Sequence, residues 1–143
     1  MSEFFRPHGE FHIYIDGQIL VTEVTGPWNK ELVDRWAREC YPPAKQLGAL
    51  QPYAGIVIVR GSMICPPDAM EALARVVRYS KEKLNCLAHI VVADRTVEGR
   101  DLIEAAYARI YEGVVAYNFF YEYAEAKTWA DALLRAHGAG KPL

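Results

Sequence analysis

Residues 55–59 read Gly-Ile-Val-Ile-Val, a short and continuous apolar run that decides the fold class. A strand that is buried on both faces has this pattern, because helices cover both sides of a parallel sheet. Residues 87–93 form a second such run, and a segment with helical periodicity lies between the two. A strand, a helix and a strand in succession predict a parallel crossover, so we expect an α/β domain.

The N-terminal part of the chain predicts a hairpin. Asp16-Gly17 lies between two β-rich runs, residues 11–15 and 18–24. An Asp-Gly pair in this position is typical of a two-residue hairpin turn, because both turn positions need a positive φ. The first two strands are therefore expected to pair antiparallel at one edge of a mostly parallel, five-stranded sheet.

The remaining elements alternate between helix and strand. Asn29 is the expected N-cap of the first helix, and Pro42-Pro43 is expected to end or kink it. Gly138 is expected to follow the last helix as its C′ residue. The order becomes β-β-α-β-α-β-α-β-α in a single domain with a core of about residues 10–137 and tails at 1–9 and 138–143. Helices are expected from residue 30 and over 67–83, 100–112 and 123–137, with a last strand over 114–120.

Composition excludes several classes of protein. The 143 residues are 52% hydrophobic and carry a net charge of −2, which gives no electrostatic case for binding nucleic acid. No apolar run approaches the ~20 residues of a membrane span, and the first residues do not resemble an export signal. The three cysteines are widely spaced and lie in no metal-binding pattern, so we expect a cytoplasmic protein with reduced thiols and neither metal nor cofactor.

Two stretches carry a resemblance to a known family. Residues 24–29, Val-Thr-Gly-Pro-Trp-Asn, follow the predicted hairpin and lead into the first helix, and residues 55–59 precede a loop and a helix. Over residues 10–137 this arrangement resembles the STAS domains, the anti-sigma-factor antagonists, and their lipid-carrier-like relatives. The resemblance implies a curved sheet in sequential strand order, with a regulatory or ligand-binding role rather than catalysis.

The chain departs from that family at one position. STAS antagonists have Asp-Ser-Ser, or a close variant, where the loop after the third strand meets its helix, and a kinase phosphorylates one of the serines. Residues 64–68 read Ile-Cys-Pro-Pro-Asp at this junction, and Ser62 lies outside the register. We therefore do not expect phosphorylation control of this kind, and the small-ligand or scaffold branch of the resemblance is favoured.

A candidate binding site lies where the parallel strands end. Ligands of open α/β sheets bind at the carboxyl ends of the strands, and helix N-termini and arginines there suit an anion. The alternative is a solvated loop with weak surface ion pairs. The side chains expected at this rim follow the second, third and fourth strands: Trp28, Asn29, Arg60, Ser62, Asp94 and Arg95.

Three further residues have competing interpretations. Cys65 and His89 cannot form a catalytic pair, because five strand residues separate them by roughly 15 Å. His89 is therefore interpreted as a histidine that either has its hydrogen bonds satisfied by the fold or lies at an edge, and no catalytic residue is assigned. Trp28 either contacts a ligand or partner, or covers the core beneath the first helix.

Three functional hypotheses remain. The first is a non-enzymatic STAS-like module that binds a small anionic or apolar ligand, or a protein partner, at the rim. The second is a small enzyme in which Asp94 is the acid or base and Arg60 and Arg95 clamp an anion. The third is a homodimeric scaffold whose aromatic last strand forms the interface.

Overall fold

The computed structural model describes residues 10–139, and its elements follow one another in the expected order. The expected tails lie outside the described residues, except for positions 138 and 139. The strands are β1 (Glu10–Asp16), β2 (Ile19–Thr25), β3 (Tyr53–Arg60), β4 (Cys86–Val92) and β5 (Ala116–Phe120). The helices are α1 (Lys30–Gly48), α2 (Pro67–Lys83), α3 (Arg100–Tyr111) and α4 (Tyr123–Leu134), and a π-helical turn, Arg135–Ala139, extends α4.

The five strands form one sheet in sequential order, β1-β2-β3-β4-β5. β1 and β2 are antiparallel, and Asp16 pairs with Ile19 across the two-residue turn. The two turn residues are therefore Gly17 and Gln18, and Gly17 has a φ of +64°. The expected positive φ at both turn positions is wrong, because Asp16 lies in the strand and Gln18 has no positive φ. The other neighbouring strands are parallel, so the expected sheet and its edge hairpin are confirmed.

The sheet is covered on both faces. Helices α1, α2 and α3 pack on one face, where Trp36, Leu73 and Tyr107 join a shared core. Helix α4 packs on the other face, with Ala126 and Ala130 against the apolar side chains of β2, β3 and β4. Successive strand residues therefore point into different cores, which explains why the β3 and β4 runs are continuously apolar. No helix within residues 10–139 has the length and hydrophobicity needed to cross a membrane.

Helix α1 begins as expected and ends later than expected. The Asn29 Oδ1 atom accepts a hydrogen bond from the Leu32 amide at 2.7 Å, so the N-cap is confirmed. Of the two expected outcomes at Pro42-Pro43, an end or a kink, the end is wrong, because α1 continues to Gly48. Each proline removes the hydrogen bond that its own amide would donate, and its ring crowds the carbonyl four residues before it. Packing of the buried Ala44 beyond them holds the last turns in place.

The start of β5 and the end of α4 also differ from the expected boundaries. β5 starts at Ala116 rather than at residue 114, because the amides of Val114 and Val115 both donate to the Tyr111 carbonyl and close the turn after α3. The regular α-helix α4 ends at Leu134, before the expected His137, and the π-helical turn takes the place of a glycine stop at Gly138. Neither difference changes the topology.

Candidate functional site

The loops after β2, β3 and β4 meet at one rim of the sheet. The Trp28 amide donates to the Ile64 carbonyl at 3.0 Å, and the Glu98 amide donates to the Gly61 carbonyl at 2.8 Å. These backbone hydrogen bonds join the three loops side by side. The geometric expectation that the carboxyl ends of these strands converge therefore agrees with the structure.

A glycine makes this close approach possible. The Gly26 amide donates to the Arg60 carbonyl at 2.9 Å. A Cβ atom at position 26 would overlap the Ser62 carbonyl oxygen, so the two loops can touch only because residue 26 has no side chain. The peptide bond between Gly26 and Pro27 is cis.

Three of the rim residues use their side chains inside the protein. Trp28 is only 3% exposed and packs edge-on against Trp36, with ring centres 5.7 Å apart. Asn29 caps α1, and the buried Ser62 hydroxyl accepts a hydrogen bond from the Ile64 amide at 3.1 Å. Trp28 therefore covers the core beneath α1, which was the alternative interpretation of this residue.

The other three rim residues are exposed and have partners within the chain. Arg60 Nη1 lies 3.1 Å from Glu23 Oε1, and the Arg95 guanidinium lies 4.4 Å from the ring centre of Tyr121. Hydrogen bonds from Thr96 lower the pKa of Asp94, and the nearby Arg60 charge adds to the effect. An exposed carboxyl with a lowered pKa is ionised at neutral pH, which disfavours Asp94 as a general acid.

A cavity of about 480 Å³ lies elsewhere, between α1, α2 and the sheet. It is nearer the N-terminal ends of β3 and β4 than the rim, since Tyr53 and Gly55 line it from the start of β3. Most of its wall is apolar. The side chains that form this wall include Leu20, Trp36, Ala44, Tyr53, Val57 and Val76.

Tyrosines and charged residues line the outer part of this cavity. Tyr41 on α1 and Tyr79 on α2 are both exposed, and their ring centres are 6.4 Å apart. Arg38 and Arg75 are also exposed, and Arg75 Nη1 lies 3.6 Å from Glu71 Oε1. The charges associated with the cavity are thus in contact with water, while its deeper wall is apolar.

His89 lines the cavity from β4 and is only 7% exposed. Its ring stacks on that of Tyr111, with centres 5.7 Å apart. Its Nε2 atom lies 2.9 Å from the Ser80 hydroxyl, which donates to the Val77 carbonyl at 2.8 Å. Burial lowers the pKa of His89 from 6.5 to about 4, so the ring is neutral at physiological pH.

The thiols of the chain are not activated. Burial raises the pKa of Cys40, which lines the cavity, to about 12. It raises the pKa of Cys65 to about 12 and that of Cys86 to about 11. A thiol must ionise to act as a nucleophile, so these cysteines serve as small apolar side chains.

Comparison of the chain with protein-family models, with curated proteins and with solved structures finds no match. Within residues 10–139, no three His, Cys, Asp or Glu side chains are grouped so that they could hold a metal ion. What the site can do therefore follows from the cavity and its own side chains.

Sequence reasoning did not single out the residues of this cavity. His89 was interpreted as a satisfied histidine, and Gly55 only as the start of a buried strand. The two are direct partners across the parallel β3–β4 pair. A glycine opposite a histidine in two otherwise apolar strands leaves space beside a polar ring. That signal becomes visible only when the strand register is known.

Proposed function

We propose that this protein is a non-enzymatic binding protein that holds a small apolar ligand in the cavity between α1, α2 and the sheet. The cavity itself carries the proposal. Its volume of about 480 Å³ is in the ordinary range for small-molecule sites, and its deep wall is apolar. The resemblance to STAS domains and their lipid-carrier-like relatives also supports a ligand-binding role.

The rim offers weaker support for a ligand site. Trp28, Asn29 and Ser62 are used by the fold, and Arg60 and Arg95 contact Glu23 and Tyr121. An anion bound there would have to compete with these intramolecular contacts. A ligand in the cavity would not have to break such contacts. Replacement of water by an apolar ligand against the apolar wall lowers the free energy.

Catalysis has little support from the ionisable groups of the cavity. The pKa of His89 is about 4, so this ring is a weak base, and burial raises the pKa of the Cys40 thiol to about 12. General acid–base catalysis works best when the pKa is near the working pH. A binding role makes no such demand on either group.

The proposal predicts that affinity depends on the length of an apolar chain. Methyl alkyl ethers of increasing length are suitable probes, because they are neutral and donate no hydrogen bond. Each two added methylenes should strengthen binding by about tenfold until the cavity is full. Isothermal titration and the rise in melting temperature with ether concentration both measure this dependence.

A cavity-filling variant locates the binding. Val76→Trp places a large ring in the cavity from a half-buried position on α2, and binding should be lost. Leu102→Trp adds the same ring at an exposed position on α3 and should bind as the wild type does. If no ether binds to the wild type, or if Val76→Trp binds as tightly, the proposed function is wrong.

A further inference from the structure

We propose that the ligand carries a hydrogen-bond donor, such as an alcohol hydroxyl, and that His89 Nδ1 accepts this hydrogen bond inside the cavity. This inference rests on the proposed function and specifies its ligand class as neutral alcohols with an apolar body. It follows from the tautomer of His89, from the space beside the ring and from the position of the charged side chains.

The tautomer of His89 follows from Ser80. A serine hydroxyl has one hydrogen, and that of Ser80 points to the Val77 carbonyl at 2.8 Å. With the Ser80 hydrogen directed to Val77, Oγ has only a lone pair for the 2.9 Å contact with His89 Nε2, and on this ground we assign the ring hydrogen to Nε2. In a neutral imidazole the other nitrogen is unprotonated, so Nδ1 presents a lone pair and can only accept.

Nδ1 has room beside it and lacks a partner in the described part of the chain. A Cβ atom built on Gly55 would lie 3.7 Å from Nδ1, and both residues line the cavity. The absence of a side chain at position 55 thus leaves Nδ1 open on this side. The structure shows no hydrogen bond to Nδ1 from residues 10–139, although only 7% of His89 is exposed.

An acceptor that opens onto an apolar cavity discriminates between ligands. A hydroxyl donates to it and recovers the hydrogen bond that it loses on leaving water, whereas an ether of the same shape cannot. A carboxylate brings a second lone pair and a charge to a neutral ring. The cations that line the cavity, Arg38 and Arg75, are exposed to solvent. They would offset little of the free-energy cost of moving a carboxylate from water to a position beside His89.

The test compares three probes of similar length on the full chain by isothermal titration at neutral pH. The probes are 1-decanol, its isomer methyl nonyl ether, and decanoate. We expect the alcohol to bind about three- to tenfold more tightly than the ether, as one net hydrogen bond allows. Decanoate should bind more weakly than the alcohol.

Two variants assign the discrimination to Nδ1. His89→Phe keeps a stacked ring but removes the acceptor, so the alcohol and the ether should bind equally. Gly55→Ala adds one methyl group at ordinary contact distance, and it should lower the preference for the alcohol by covering Nδ1. Cys40→Ala removes a different cavity-lining heteroatom and should keep the wild-type ratio.

The outcomes separate this inference from the proposed function. If the ether and the alcohol bind equally to the wild type, the hydrogen-bond inference fails and the apolar binding site stands. If decanoate binds more tightly than 1-decanol, the polar group of the ligand lies at the solvent-facing arginines and the inference also fails. If none of the three probes binds, both proposals fail. If His89→Phe does not fold, Gly55→Ala still tests the inference, because it leaves His89 in place.

Discussion

The Ser80 hydroxyl on α2 and the His89 ring on β4 are joined by a buried 2.9 Å contact between Oγ and Nε2. In the tautomer that we propose, Nε2 donates this hydrogen bond and Nδ1 is an acceptor. The contact also links α2 to the sheet beside the cavity. The proposed tautomer thus depends on a serine of α2 that contacts the other ring nitrogen, Nε2.

The tautomer is directly observable. In the wild type, nitrogen NMR of the imidazole should show a protonated Nε2 and an unprotonated Nδ1 at neutral pH. Ser80→Ala leaves the Nε2 hydrogen without its acceptor, and we expect a loss of about 1–3 kcal/mol in the free energy of unfolding. A wild-type spectrum with the hydrogen on Nδ1 would contradict the proposed acceptor.

Stability should fall as the pH is lowered through the range set by His89. The pKa is 6.5 for an ordinary histidine and about 4 in the folded protein, so the unfolded chain takes up the proton first. The contribution of His89 is complete above pH 6.5 and is lost as the pH falls to about 4, by about 3 kcal/mol in total.

His89→Phe is the control for this pH dependence. Denaturant unfolding at a series of pH values should show a shallower decline for the variant than for the wild type between pH 6.5 and 4. Carboxyl groups contribute equally to both curves and cancel in the difference. Parallel curves would mean that His89 is already protonated in the folded protein or is accessible to solvent.

The three thiols should react slowly in the folded protein. With a pKa of about 12, only about one Cys40 thiol in ten thousand is ionised at pH 8. Alkylation followed by mass spectrometry should therefore show little modification without denaturant. A bound ligand should slow the reaction of Cys40 further, since Cys40 lines the cavity. Rapid labelling in the native state would refute the assignment of these thiols as inert.

Gly26→Ala should destabilise the fold because of a close contact rather than because of an unusual φ. The added methyl would overlap the backbone of Ser62, which cannot move without separating the loops after β2 and β3. We expect a loss of more than about 2 kcal/mol in the free energy of unfolding.

Gly113→Ala provides the comparison for this variant. Position 113 has open space around it but a φ of +78°, so only the backbone conformation opposes a side chain there. The expected cost is about 1 kcal/mol. If Gly26→Ala costs no more than Gly113→Ala, the loops after β2 and β3 are less tightly packed than the structure indicates.

The rim and the cavity can be separated by mutation. Arg60→Ala combined with Arg95→Ala removes both exposed arginines, and we expect a change below about 1 kcal/mol in the free energy of unfolding. Binding of 1-decanol should be unchanged, because neither residue lines the cavity. A stable double variant that no longer binds 1-decanol would indicate that the binding site lies at the rim.

Local sequence signals predicted most of the fold. The hairpin around Gly17, the Asn29 cap and the apolar runs of β3 and β4 each depend on a few neighbouring residues, and all were confirmed. The exact turn positions were not, since Asp16 belongs to the strand. The end of α1 could not be predicted in this way. Proline has a strong local effect, but tertiary packing of Ala44 against the sheet outweighs it.

The site depends on information that a single sequence does not display. The rim residues were predicted from topology, and the structure does bring their loops together. Whether Trp28 faces solvent or Trp36 depends on the path of one loop, and a sequence pattern does not determine that path. The cavity depends on the spacing of α1 and α2, and on the register that sets Gly55 beside His89.

The two prolines of α1 have a consequence for how a molecule reaches the cavity. Proline has no amide hydrogen, so Pro42 and Pro43 leave the carbonyls of Arg38 and Glu39 without the usual helical donor. Helix α1 thus has fewer backbone hydrogen bonds beside the opening of the cavity, and bending costs less free energy there than elsewhere along α1. Any movement of α1 that admits the proposed ligand is therefore expected at this turn, with the hydrogen bonds of the β-sheet left intact.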